Sequence, residues 1–277
     1  MHEPVPARLT HADSWERPHT HPILSAKVTH VWRIPLDRSD GVAAHMSLLS
    51  DDEQDRVRRF YFPHHGRRYA IAHGALRQIL AAYEAVDPRA LQFSTGEHGK
   101  PALSFGGVIN PSDLHFNLSH SGDLALLAVA RHGAVGVDVE QWRSNVQHLE
   151  IAERFFSPYE RDALRSLSGE EAILRGFFST WSRKEAYLKA TGHGIARGLH
   201  HFDVTMENSA TPQPASSSEQ SLVSPARLVA DRLDPAALTR WVMTHIDAGP
   251  GYSGALVSPR AEGGAEGAVV LFESPYI

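Results

Sequence analysis

Residues 136–142, Gly-Val-Asp-Val-Glu-Gln-Trp, constrain the fold more tightly than any other stretch of the chain. The run reads as a short, inward-looking β-strand. Side chains alternate along a strand, so Asp138 and Glu140 leave the same face with Cα atoms about 6.5–7 Å apart. Like charges that close repel. In a partly dry place one of them must take up a proton, find a cation or bind a metal.

A second constraint lies in residues 169–192, GEEAILRGFFSTWSRKEAYLKATG, which predict one long helix stopped by Gly192. Ile173, Phe177 and Trp181 recur every four residues, with Leu188 close to the same face. Continuing that series reaches Glu185 and Lys189, and Lys184 flanks them. Burying such groups singly costs several kcal/mol unless each finds a partner. An exposed helix end also accounts for them, since Ser182 and Glu185 have capping-box spacing and Glu185 with Lys189 is a favourable i,i+4 pair. Together with Asp138 and Glu140, the set becomes three carboxylates beside two lysines. Hard oxygen ligands and ammonium groups are what a Mg²⁺-assisted reaction on a phosphate ester or anhydride needs. The residues alone lead that far and leave the kind of phosphate chemistry open.

Elsewhere strand and helix signals alternate. Val28, Val31 and Ile34 predict a first strand over 26–36. Ser50 stands as the N-cap of a helix with an acidic first turn and a basic far end. Tyr69, Ala72, Leu76, Ile79 and Leu80 give a second helix over 66–85. Residues 115–142 predict three short antiparallel strands, with turns at Ser121-Gly122-Asp123 and His132-Gly133. Residues 148–164 begin helical and meet Pro158, and strand candidates close the chain on either side of a Gly-rich loop at 262–267. No fixed-period repeat is visible. Residues 207–219 are low-complexity and are expected to form a mobile insertion. The polar residues 1–25 carry His2, His11, His19 and His21 without regular ligand spacing, which favours a disordered extension over a metal site.

At 277 residues and 42% hydrophobic content the chain forms one large or two modest globular domains. A formal charge of −5 argues against non-specific nucleic-acid binding, and the absence of cysteine excludes disulfide and thiolate chemistry. No run of about 18 apolar residues and no apolar leader occurs, so a soluble cytoplasmic protein with no membrane partner is expected.

The motifs resemble a known family. GVDVE at 136–140 followed by WSRKEAYLKATGHGI at 181–195 is similar to the paired signature of Sfp-type 4′-phosphopantetheinyl transferases, G-[IV]-D-x-E and then W-x-x-K-E-A-x-x-K-x-x-G. GKP at 99–101, FNLSHSGD at 116–123 and LEIAERFFSPYE at 149–160 also resemble segments of that family, so the likeness runs in motif order over about residues 27–205. It implies an α+β pseudo-dimer of two similar subdomains, here 26–132 and 133–277, with coenzyme A in the cleft between them. By the family's pattern Asp138, Glu140 and Glu185 would hold Mg²⁺, Lys189 would meet the phosphates with Lys184 near them, and His120 and Lys100 would approach the nucleotide. Arg56 and Arg68 lie where basic residues for the 3′-phosphate are commonly placed.

The implied reaction moves 4′-phosphopantetheine from coenzyme A to a serine of an apo acyl or peptidyl carrier protein, releasing adenosine 3′,5′-bisphosphate. Glu185 is a candidate base for the serine proton. The alternatives are another Mg²⁺-dependent phosphate-transfer or hydrolysis enzyme and a non-catalytic carrier-binding relative. A chain holding both halves of its cleft is expected to be a monomer. Phe155 and Phe156, with Arg154, Arg161 and Arg165 around them, suggest a docking spot for an acidic carrier.

Overall fold

The computed structural model describes residues 14–96, 99–105, 108–109, 112–206, 221–260 and 267–276. The first half runs β1 (Val28–Pro35), α1 (Val42–Met46), α2 (Asp51–Arg59), α3 (Pro63–Glu84), β2 (Gln92–Thr95), β3 (Pro101–Phe105), β4 (Val108–Ile109), β5 (His115–Ser121) and β6 (Leu124–Ala130). The second runs β7 (Gly136–Gln141), α4 (His148–Phe155), α5 (Pro158–Arg165), α6 (Glu170–Thr191), β8 (Phe202–Val204), β9 (Val223–Ala226) and β10 (Leu228–Asp231). It ends with α7 (Ala237–Arg240), β11 (Trp241–Ile246), β12 (Tyr252–Pro259) and β13 (Ala268–Glu273).

Two four-stranded sheets dominate this α+β fold, in the orders β13-β1-β6-β5 and β7-β12-β11-β9. Strand alternation sorts their side chains into layers. Trp32, Ile34, Leu127 and Val129 face α3, whose Ile71, Leu76, Ile79 and Leu80 close the first core. From the opposite face of the same sheet, Val31, Leu126 and Ala128 meet Val137, Val139 and Leu256 of the second sheet in a shared core. Ala255 and Val257 turn outward to Ala186, Tyr187 and Leu188 of α6. The order is helix, sheet, sheet, helix, with α3 and α6 in corresponding outer positions. β13, at the end of the described chain, returns to the first sheet and pairs parallel with β1.

The helix starts follow their caps. Ser50 and Glu53 form a reciprocal capping box at α2, and Ser157 with Glu160 does the same at α5, where Pro158 takes the first turn. Gly192 ends α6 in the left-handed conformation at φ 73°.

Three expectations are corrected. The strands of 115–142 do not make one three-stranded sheet: β5 and β6 form a hairpin ladder, but β7 crosses to the second sheet and pairs with β12. The five residues Arg131–Val135 are not a tight hairpin turn, and Gly136 lies so close on α6 that a Cβ there would meet the Ala186 carbonyl at 2.1 Å and the Ala190 nitrogen at 2.3 Å. Residues 14–25 also do not hang free. Glu16 pairs with the outer edge of β13, Arg17 binds Glu273, and His21 stacks on Trp32, because β13 would otherwise present an unpaired edge. Third, Ser182 is no helix cap, since its hydroxyl donates to the Ser179 carbonyl inside α6. His2, His11, the insertion expected at 207–219 and most of the Gly-rich loop lie outside the described residues.

Candidate active site

β5 and β7 are the facing edges of the two sheets. No backbone ladder joins them. Side chains bridge instead: Val137 N donates to Asn117 Oδ1 at 2.8 Å, Ser119 Oγ to Asp138 Oδ1 at 2.7 Å, and Ser121 Oγ to Glu140 Oε2 at 2.9 Å. The alternating Asn117, Ser119 and Ser121 thus answer the alternating Asp138 and Glu140 across the seam. Both serines lie in the FNLSHSGD stretch, yet the sequence reading passed over them. Their signal was the matched two-residue spacing.

From the other side α6 brings Glu185 and Lys189, one turn apart. Lys189 Nζ donates to Asp138 Oδ1 at 2.6 Å and to Ser119 Oγ at 2.9 Å. Asp138 is 3% exposed, and its Oδ2, like Glu185 Oε1, is buried with no hydrogen-bond partner among the described residues. Burial first, then the Asp138 charge, pushes the Glu185 carboxyl up to about 7, against the pull of Lys189. The same two causes raise Glu140.

Among the described residues no three carboxylates or imidazoles already stand gathered as metal ligands; the first shared cation of Asp138 is Lys189. Two buried, unpartnered carboxylate oxygens and two carboxyls held above their ordinary range nonetheless make a donor set that fits a hard divalent cation.

His120, on the α3 side of β5, stands at the mouth of the seam. Its imidazole touches solvent, yet local desolvation, followed by the charges of His73, Lys189, Arg56 and His65, lowers its pKa. Arg56 is exposed with its guanidinium 5.1 Å above the Tyr69 ring. His120, Arg56 and Lys189 therefore form one basic neighbourhood beside the carboxylates. Arg68 is already paired with Asp123.

Two lysines do not join them. Lys184 is wholly buried, donating to Glu160 Oε1 and to the Phe202 carbonyl, each at 2.6 Å. One residue before Glu185 on a helix is about 100° away, which turns Lys184 to α5 and β8 and away from the seam. Lys100 Nζ donates to the carbonyls of Val135 at 2.9 Å and Ala190 at 3.3 Å, and burial lowers it to about 8. Two of the three arginines expected around Phe155 and Phe156 are paired with a carboxylate. Phe156 is 2% exposed, Phe155 packs edge-on to Trp181 under Arg154, and Arg161 and Arg165 both bind Glu153, which lies within reach of α5.

An unpartnered carboxyl in the seam has a cost with a definite pH window. Glu185 titrates near 7 in the fold and near 4.5 when free. Its ionisation therefore destabilises the metal-free protein progressively as pH rises from about 4.5 to 7, by on the order of 3 kcal/mol at the top. Thermal melts in chelator should place Glu185→Gln above the parent chain at pH 8 and level with it at pH 4.5. Equal midpoints at pH 8 would show that Glu185 is not held in this way.

Among the described residues no helix is long and apolar enough to cross a membrane. The family described as 4′-phosphopantetheinyl transferase, N-terminal, matches residues 36–132, and the 4′-phosphopantetheinyl transferase superfamily matches residues 134–244. The chain is 44% identical over 185 residues to the 4′-phosphopantetheinyl transferase HetI of Nostoc sp., covering 66% of this chain and 76% of the relative. With the 4′-phosphopantetheinyl transferase Sfp of Bacillus subtilis it shares 32% identity over 161 residues, 58% of this chain and 68% of the relative. A putative 4′-phosphopantetheinyl transferase of Synechocystis sp. is 37% identical over 61% of this chain and 67% of its own length.

Proposed function

The chain belongs to the Sfp-type 4′-phosphopantetheinyl transferases, enzymes acting on carrier proteins, and on that footing we propose that the seam between β5 and β7 is where coenzyme A is cleaved. In this reading Asp138, Glu140 and Glu185 would hold Mg²⁺. Bound there, the ion supplies positive charge to the phosphoanhydride as it breaks. Lys189 lies beside Asp138 and, with Arg56 and His120, receives the nucleotide's phosphates. Arg68 would join them only on leaving Asp123.

The carrier's serine oxygen bonds to the β-phosphorus, and the bond from that phosphorus to the bridging oxygen breaks, leaving adenosine 3′,5′-bisphosphate. Lys189 Nζ offsets the charge that gathers on the phosphate oxygens, the kind of fixed electrostatic help that dominates phosphoryl transfer. Glu185, which α6 brings to the seam, is also the group placed to take the serine proton. Both sheets that flank the seam come from one chain, which supports action as a monomer.

The observation that carries this reading is Asp138, with Lys189 on one oxygen and its buried second oxygen unpartnered. Intact-mass spectrometry of an apo carrier protein incubated with the chain, coenzyme A and Mg²⁺ should show the phosphopantetheine increment, and none with chelator. An unchanged carrier under all conditions, or a hydrolysed coenzyme A with no carrier product, would point to the other phosphate chemistries.

His120→Ala should raise the KM for coenzyme A roughly tenfold, the scale of a hydrogen bond to a charged group, with kcat little changed. The 3′-dephosphorylated analogue should lose nothing by the change. If both substrates weaken equally, His120 does not read the 3′-phosphate.

A further inference from the structure

Tyr69 and His73 stand four residues apart on α3, on one face of the helix. Their rings stack at 3.9 Å between centres and 21° between planes. Arg77, one turn further, donates to Glu53 Oε2 at 2.8 Å, and Glu53 Oε1 lies 3.4 Å from His73 Nδ1. The stack and the carboxylate together fix the plane and the edge of the imidazole. Its two nitrogens point to opposite sides of the ring, so with Nδ1 on Glu53 the other, Nε2, faces away from that carboxylate. The side chain is 23% exposed, and among the described residues Nε2 has no hydrogen-bond partner.

The surroundings that His73 shares with His120 are basic. After desolvation, the charge of His73 is the largest influence that lowers the His120 pKa, ahead of Lys189 and Arg56. Arg56 lies over the same Tyr69 ring on which His73 stacks. Three elements, α2, α3 and β5, thus bring Arg56, His73 and His120 to one place. Two imidazolium ions side by side repel, and an anion received between them removes that cost. Coenzyme A has two anionic centres, its pyrophosphate and its 3′-phosphate. With the first at the carboxylate seam beside Lys189, the second is left for this basic neighbourhood, where charged donors around a phosphate supply direction as well as attraction.

We propose that His73 is a binding residue for the 3′-phosphate of coenzyme A, donating from Nε2 beside His120 and Arg56, and that it helps set the preference for coenzyme A over its 3′-dephosphorylated analogue. Glu53 acts behind it as the group that turns Nε2 outward. The proposal rests on His120 and Arg56 as the site of the nucleotide's phosphate.

The test is steady-state transfer to an apo carrier protein, with coenzyme A and with the 3′-dephosphorylated analogue, by His73→Gln, His73→Arg and His120→Ala. Expected in His73→Gln is a KM for coenzyme A raised about five- to tenfold, the scale of one charged hydrogen bond at a partly exposed site, with the KM for the analogue within about twofold of the parent. His73→Arg keeps a donor, a charge and a surface that stacks on Tyr69, so it should hold the parent's preference within about twofold. Equal rises for both substrates in His73→Gln, no rise for either, or failure of both His73 variants to fold would overturn the proposal. A preference lost as fully in His73→Arg as in His73→Gln would overturn it as well. An unchanged preference in His120→Ala would instead count against the reading of the phosphate site itself.

Discussion

Asp138→Asn is expected to lower kcat/KM for carrier modification by on the order of a thousandfold or more, the scale seen when a charge-stabilising group is removed from a preorganised site. The substitution keeps the shape of the side chain. It removes the charge on which Ser119 and Lys189 converge and the buried oxygen available to a cation. The fold should hold, because the β7 backbone is fixed by its ladder to β12, with Asp138 opposite Ala255, and Val137 and Val139 remain in the inter-sheet core. Stability should even rise slightly in metal-free buffer, as Glu140 and Glu185 lose a repelling neighbour. A time course of carrier mass at saturating Mg²⁺, run beside a circular dichroism melt, checks both halves of the expectation. Turnover within tenfold of the parent would remove Asp138 from the working site.

The largest effect on stability is expected at Lys184. Its ammonium is wholly buried between Glu160 Oε1 and the Phe202 carbonyl and lies 4.2 Å from the Phe202 ring centre. Glu160 in turn accepts from Val204 N at 2.9 Å and Ser157 N at 3.0 Å, so one carboxylate caps α5, holds β8 and pairs with α6. Burial drives each partner toward neutrality and the other's charge opposes it. Lys184→Met leaves Glu160 buried and unpaired, which should cost about 3–5 kcal/mol, a midpoint lower by on the order of 10 °C. The double variant Lys184→Met with Glu160→Leu should cost less than the single, since removing both charges removes the stranded one. Below its melting range the single variant should keep the parent's KM for coenzyme A. A normal midpoint with a raised KM would instead restore Lys184 to the phosphate site.

That lysine marks the border of what the sequence made legible. Four-residue spacing from Ile173 through Trp181 led to Glu185 and Lys189, and both do face the seam. Lys184 sits within the same motif but 100° around the helix, and motif membership alone cannot report direction. The period of two in Asp138 and Glu140 was readable; the matching Asn117, Ser119 and Ser121 became meaningful only when β5 and β7 proved to be facing edges of different sheets. Strand signals around 115–142 were all present, yet strand propensity does not say which sheet a strand joins, and β7 joined the other one. Lys100 bonds to two carbonyls 35 and 90 residues away, and backbone acceptors leave no trace in side-chain pattern. Arg161 and Arg165 suggest an open basic surface in the sequence; in three dimensions they pair with Glu153 and Asp162.

The claim that Asp138, Glu140 and Glu185 act together on one divalent ion is tested most directly by titrating Mn²⁺, as a spectroscopic stand-in for Mg²⁺, into the chain saturated with coenzyme A and following the free-ion electron paramagnetic resonance signal. Expected is uptake of one ion per chain by the parent, and uptake at least tenfold weaker in Asp138→Asn and in Glu185→Gln. Unchanged one-to-one uptake in Asp138→Asn would contradict it.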